Sequence, residues 1–96
     1  MIVKVVSSPL KMKKYRATMD NGKTFDFGLN GSSTYLDHKD LLKRENYRKR
    51  HLGNKTEKQL INNLVPSASL LSYYLLWGET TDLQKNIKYL NSLWKK

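Results

Sequence analysis

The stretch Phe27–His51, FGLNGSSTYLDHKDLLKRENYRKRH, decides how this chain is read. It leaves a β-type segment through two glycines, crosses a small polar loop and becomes a basic helix. Gly28 and Gly31 supply left-handed backbone where the chain departs from a sheet. As a GxxG pair without the rest of a P-loop or dinucleotide fingerprint, they are weak evidence for a phosphate cradle. Ser32, Ser33 and Thr34 read as loop. Asp37 is placed to cap a helix, its carboxylate accepting from the amides near Lys39 and Asp40, and Asp40 suits the positive pole of the helix dipole. The helix is predicted from about His38 to His51, with Gly53 placed to end it. Its apolar residues, Leu41, Leu42, Tyr47 and Leu52, form no single stripe, which predicts shallow packing.

Upstream, Ile2–Val6 is short and β-branched and reads as a first strand; Ser7, Ser8 and Pro9 break it. Met12–Met19 alternates, with Tyr15, Ala17 and Met19 on one face and Lys14, Arg16 and Thr18 on the other, the pattern of a half-buried antiparallel strand. Asp20-Asn21-Gly22-Lys23 is a hairpin turn, because Asn-Gly tolerates positive φ. Thr24–Phe27 returns as its partner, with Phe25 and Phe27 on one face and Asp26 opposite.

Downstream, Thr56-Glu57-Lys58-Gln59 matches a capping box and opens a short helix through Leu60, Ile61 and Leu64, ended by Pro66. Ser67 caps the next helix, whose run Leu70–Trp77 is apolar nearly all round and belongs at the centre of the core. Gly78 terminates it. Thr81 with Gln84 forms another capping box, and Leu83, Ile87, Leu90 and Trp94 recur at helical spacing in an amphipathic closing helix. The expected architecture is α+β: an N-terminal antiparallel sheet, made of a hairpin plus a short strand, then three or four helices packed on one face. A chain of 96 residues forms one domain, with a β part over 1–28 and a helical part over 29–96.

Composition narrows the function classes. Eighteen basic residues stand against eight acidic ones, a net charge of +10. Such an excess repels itself and favours an anionic partner: nucleic acid, an acidic protein surface or a charged membrane. The absence of cysteine excludes disulfides, thiolate nucleophiles and Cys-type zinc sites. The opening apolar run is too short for a signal peptide, and Leu70–Trp77 is too short to span a bilayer, so neither export nor membrane insertion is expected.

No nucleophile–base constellation is visible. His38, Lys39 and Asp40 are adjacent at a helix start and point in different directions, unlike a phosphodiesterase triad. His38 and His51 lie roughly 20 Å apart along one helix at ~1.5 Å rise per residue, too far for one metal. The reading is therefore non-enzymatic, with no metal, cofactor or small-molecule substrate. The candidate binding residues are Lys39, Lys43, Arg44, Arg48, Lys49 and Arg50 on the basic helix, extended by Lys14 and Arg16 from the sheet. They suit phosphates or acidic side chains. Tyr35 and Tyr47, interleaved with these charges, have the ring faces to stack on bases but are read as docking the helix onto the sheet. No helix-turn-helix, zinc-finger or RNP signature is present.

Several patches together resemble a known family. They are Lys14-Tyr15, Asp20 with Gly22-Lys23, Phe27-Gly28, Gly31, the run Tyr35–Asp40, Tyr47 with Arg50-His51, then Ser72–Gly78, Thr81-Asp82-Leu83 and Ile87. The family is small and known mainly from nucleocytoplasmic large DNA viruses and some phages. The resemblance covers about Lys13 to Leu90. This chain departs from the family pattern at Thr34, where aspartate is common, at Leu36, where threonine is, and at Asn86, which replaces a serine. The resemblance implies a virion-associated structural protein, a minor capsid or cement component, found in the virion and in the host cell interior during assembly. Its partners would be capsid subunits, held through acidic surfaces. The alternative is a nucleic-acid-binding protein contacting phosphates through the basic helix 38–51.

Overall fold

The computed structural model describes residues 1–95. Three strands, β1 (Ile2–Ser7), β2 (Lys13–Met19) and β3 (Thr24–Leu29), form an antiparallel sheet in the order β1-β2-β3. The turn between β2 and β3 is the expected one. Gly22 takes φ +85° and its N–H donates to the Met19 carbonyl at 3.0 Å, while Asn21 Oδ1 accepts from the Lys23 amide at 3.0 Å. Alternation then sorts the faces. Ile2, Ala17, Met19 and Phe27 are buried, with Tyr15 tilted against Phe27 at 5.8 Å between ring centres. On the opposite face Arg16 lies directly across from Asp26.

β3 runs two residues beyond Phe27, because Gly28 stays in the strand at φ +78° and lets Leu29 pair with Lys13. A Cβ there would lie 3.0 Å from Leu76 Cδ1 and 3.1 Å from Lys14 Cβ. Glycine is thus required twice over, by dihedral and by close approach.

Five helical segments follow the sheet: α1 (Tyr35–His38), α2 (Leu41–Gly53), α3 (Lys55–Asn62), α4 (Ala68–Leu71) and α5 (Leu83–Trp94); α4 and the turn after it pack on β3, while α2 packs on α1 and α3, and α3 on α4. The fold is α+β, as expected. α4 opens on Ser67, whose hydroxyl accepts from the Leu70 amide at 3.2 Å, and widens into a π-helical turn over Ser72–Leu76 in which the Trp77 N–H reaches back to the Ser72 carbonyl. Leu70, Leu71, Leu75 and Leu76 are almost wholly buried, each burial worth roughly 1.5–3 kcal/mol. This segment is the centre of the core, packed between the sheet and α5.

Three helix starts differ from the expected ones. The single helix from His38 is two, because Lys39 takes φ +57° between α1 and α2. Asp37 does not cap forward; its Oδ2 accepts the Thr34 amide at 2.8 Å and the Thr34 hydroxyl at 3.2 Å, closing the one-turn α1. Asp40 is the cap of α2, its carboxylate receiving the Leu42 and Lys43 amides. α3 begins on Asn54, which accepts from the Glu57 amide at 3.1 Å, so Thr56 is already inside the helix. α5 begins on Asp82, which takes the Gln84 and Lys85 amides, rather than on Thr81. In each case an Asx side chain near the expected start makes the capping bond.

Two amides tie the halves together. Asn91 presents Oδ1 to the Ile2 N–H at 2.9 Å and Nδ2 to the Ile2 carbonyl at 3.0 Å, standing in for a neighbouring strand at one point of the β1 edge. Asn86, only 1% exposed, donates to the carbonyls of Leu75 and Thr80 and accepts the Thr80 amide and hydroxyl. All its hydrogen-bonding capacity is engaged inside the fold. Among the described residues, no helix is long and apolar enough to cross a membrane.

Candidate cationic interface

α2 inverts the usual arrangement of side chains. Leu41 and Leu42 face solvent, while Arg44 is buried. The Arg44 guanidinium donates from Nε to the Gly78 carbonyl at 2.6 Å and from Nη1 to Glu45 at 2.6 Å, and Nη2 lies 3.6 Å from Glu79. It also sits 5.6 Å from the Tyr35 ring centre. One turn on, Arg48 pairs with Glu79 at 3.4 Å and stacks over Tyr73 at 4.2 Å. A planar guanidinium can satisfy a carbonyl, two carboxylates and a ring face together, which an ammonium cannot. These two arginines therefore fasten α2 to the segment following the π-helical turn.

The aromatic residues complete that joint. Tyr47 stacks on Trp77 at 4.1 Å with 9° between the planes, and His51 tilts against Tyr47 at 4.3 Å. Burial pushes the Tyr47 phenol up from its ordinary range. Tyr35 is buried in the core. Neither ring is free for a base: both serve packing, though Tyr47 docks α2 onto Trp77 rather than onto the sheet. His38 is likewise engaged locally, its Nδ1 accepting the Asp40 amide at 2.9 Å. His51 Nδ1 lies 3.1 Å from Glu57, close but poorly aligned for a hydrogen bond. Burial holds the His51 imidazole below its usual range, against the opposing pull of Glu57.

On the sheet, Arg16 forks onto Asp26 at 2.9 and 3.1 Å, and the Ser8 hydroxyl adds a 2.7 Å bond to the same carboxylate. Those bonds from Arg16 and then Ser8 hold Asp26 below the ordinary carboxylate range. Lys14 Nζ donates to the Ser32 carbonyl at 2.9 Å and lies 3.4 Å from Asp37. The Thr34 amide is the main cause of the lowered pKa of Asp37, with Lys14 assisting.

The eight expected interface residues thus divide evenly. Arg44, Arg48, Lys14 and Arg16 are tied to carboxylates of the same molecule. Lys39, Lys43, Lys49 and Arg50 are exposed and, among the described residues, meet none within ion-pair distance; Arg50 rests 5.7 Å from the Tyr47 ring centre. The acids show the reason. Asp20 holds the chain's amino terminus, Asp26 and Asp37 hold Arg16 and Lys14, and Asp40 and Asp82 cap helices. Glu45 and Glu79 hold the two inner arginines, and Glu57 faces His51. All eight Asp and Glu side chains of the sequence have an internal structural partner. The uncompensated charge is left on the outside, and it is positive. This division could not be read from composition.

Two hollows adjoin these cations. One, about 420 Å³, lies between the Gly28–Thr34 loop and α2, with Tyr47, Arg50 and Trp77 among its walls. Its neighbour, about 220 Å³, is lined by Tyr47, Arg50, His51 and Glu57. Among the described residues no group of three His, Asp or Glu side chains is arranged to hold a metal ion.

Residues 3–51 match the sequence model of a family of unknown function (DUF5754), and the chain belongs to that family. The match spans the sheet except Ile2, the Gly28–Thr34 loop and α2 as far as His51. No curated protein and no solved structure matches the chain.

Proposed function

We propose that this member of an uncharacterised family is a non-enzymatic, virion-associated structural protein, a minor capsid or cement component of a large DNA virus that adheres to acidic surfaces of neighbouring subunits. The observation that carries the adhesive part is the allocation of charge. Among the described residues every Asp and Glu carboxylate has an intramolecular role, and Lys39, Lys43, Lys49 and Arg50 meet none of them within ion-pair distance. A partner that supplies carboxylates relieves self-repulsion and adds electrostatic steering. The viral setting rests on the resemblance carried by the Tyr35–Asp40 and Tyr47–His51 patches.

The test is stoichiometric recovery of the chain from purified particles, with cross-links from Lys43 and Lys49 to glutamates or aspartates of a neighbouring subunit. Particles that lack the chain remove the proposal. The same four cations also favour a second reading, contact with nucleic-acid phosphates. Titration against duplex and single strands at two salt concentrations separates the readings: phosphate contact loses affinity steeply with salt through counterion release. Absence of binding at low salt eliminates the second reading.

A further inference from the structure

The end of the sheet remote from the Asn21–Gly22 turn combines exposed aliphatic side chains with unpaired lysines. Leu10 and Met12 in the β1–β2 connection are 49% and 66% exposed, and Leu29 at the end of β3 is 58% exposed. Hydrogen bonds hold their backbones together along this end of the sheet, which forms a ridge. The Lys13 amide donates to the Leu10 carbonyl, the Asn30 amide to the Met12 carbonyl and Asn30 Nδ2 to the Lys11 carbonyl, while Lys13 pairs with Leu29 across the ladder. Lys11 and Lys13 are exposed and, among the described residues, meet no carboxylate within ion-pair distance. The ridge adjoins two hollows. One of about 410 Å³ includes Leu10, Lys11 and Lys13 in its walls, and the other, of about 420 Å³, includes Leu29 and Arg50.

We infer that this ridge is the docking surface for an acidic, leucine-rich segment of a partner protein, its apolar side chains covering Leu10, Met12 and Leu29 and its carboxylates meeting Lys11, Lys13 and Arg50. The inference rests on the proposed adhesion to acidic protein surfaces and adds to the α2 cations a second face of contact, joined to them at Arg50. Charge complementarity and surface chemistry select the occupant. Scattered exposed aliphatics are ordinary, but here three stand at one end of the sheet beside cations and concavities. A phosphate backbone offers nothing to aliphatic side chains, and single strands are bound through exposed aromatic faces. The nearby Tyr47 and Trp77 rings are already stacked on each other. A lipid surface would leave the two hollows unfilled. An acidic peptide with aliphatic side chains satisfies ridge, hollows and lysines together.

The experiment uses the full chain, isotope-labelled for amide NMR, and two short fluorescein-labelled peptides of equal negative charge. One alternates glutamate with leucine, and in the other serine replaces leucine. The leucine peptide is expected to bind about tenfold tighter, equivalent to ~1.4 kcal/mol, with amide shifts clustered at Leu10–Lys13, Leu29–Ser33 and Arg50. The double variant M12S/L29S, changed only at exposed positions, is expected to keep the wild-type spectrum and lose that preference while retaining salt-sensitive binding of both peptides. Equal binding of the two peptides, or shifts centred on Lys43 and Lys49, overturns the ridge and leaves adhesion to acidic surfaces standing. Failure of both peptides to bind at low salt overturns both. Phosphatidylserine vesicles or oligothymidylate losing as much affinity through M12S/L29S as the leucine peptide does would overturn the choice of occupant.

Discussion

Replacing Arg44 by methionine separates cations that hold the fold from cations that meet a partner. Arg44 Nε reaches the Gly78 carbonyl at 2.6 Å, and truncation leaves that buried acceptor without a donor, at about 1–3 kcal/mol. The contacts to Glu45 and Glu79 involve carboxylates that are 55% and 49% exposed, so solvent screening limits them to ~0.5–1 kcal/mol together. The contact with the Tyr35 ring adds ~0.5–1 kcal/mol. Methionine recovers part of the buried stem. The expected net loss is about 3 kcal/mol, which for a domain of this size lowers Tm by ~12–24 °C. Arg44→Lys recovers less than half, because one ammonium cannot reach three acceptors in different directions. Lys43→Gln, one residue away but exposed and unpaired, changes stability by no more than ~0.5 kcal/mol. Urea unfolding followed by circular dichroism measures all three. A loss below ~1 kcal/mol for Arg44→Met, or equal losses for Arg44→Met and Lys43→Gln, would refute the division of the basic residues into inner and outer sets.

Three further outcomes follow from the same geometry. Asn86→Ala removes an amide that serves Leu75 and Thr80 at four points and is expected to cost about 2–4 kcal/mol in urea unfolding, whereas a cost under ~1 kcal/mol would show that water replaces it. Gly78→Ala places a Cβ against the Tyr74 carbonyl oxygen, a backbone atom that cannot swing aside; the expected result is a protein that fails to accumulate folded or unfolds at least ~3 kcal/mol earlier, and a wild-type Tm would contradict it. For His51, burial lowers the folded pKa below 6.5, so the unfolded chain takes up the proton first. The associated stability is present above 6.5 and lost as pH falls through the lower folded value, giving a fall in Tm between neutral and mildly acidic buffer. His51→Gln should flatten that part of the curve, and an unchanged slope would assign it to another group.

The sheet was legible in the sequence because its signals are local and redundant. Alternation from Lys13 to Met19, an Asn-Gly pair at the turn and two phenylalanines on one face all require the same hairpin. The core helix was legible for the same reason: Ser67, four leucines and Gly78 agree. Helix starts were harder, since Thr34, Asp37, Asp40, Asn54, Thr56, Thr81 and Asp82 are all competent caps, and which one is used depends on where the preceding chain arrives. Lys39 in left-handed backbone has no sequence signature at all, because only the demands of two flanking caps hold it there. The widening at Ser72–Leu76 is equally silent, since the apolar spacing of a π-helical turn differs from an α-helix by one residue in five.

The candidate interface was legible in kind but not in membership, and the reason is physical. Charge counts show that cations exceed acids; they do not show which cations the acids hold. In this molecule the arginines of α2 that face inward do so because a guanidinium is the cation that survives burial when a carbonyl, carboxylates and a ring surround it, and Gly78, Glu79 and Tyr73 supply those groups from far along the chain. The lysines of α2, Lys43 and Lys49, more strongly hydrated, remain outside. The result is a positive surface composed mostly of lysine, beside aliphatic residues on the sheet ridge. A lysine surface discriminates weakly by geometry and strongly by charge, so any selectivity must come from the aliphatic ridge beside it. That is why the peptide comparison, in which charge is held constant and only leucine is varied, carries more weight than any count of cations.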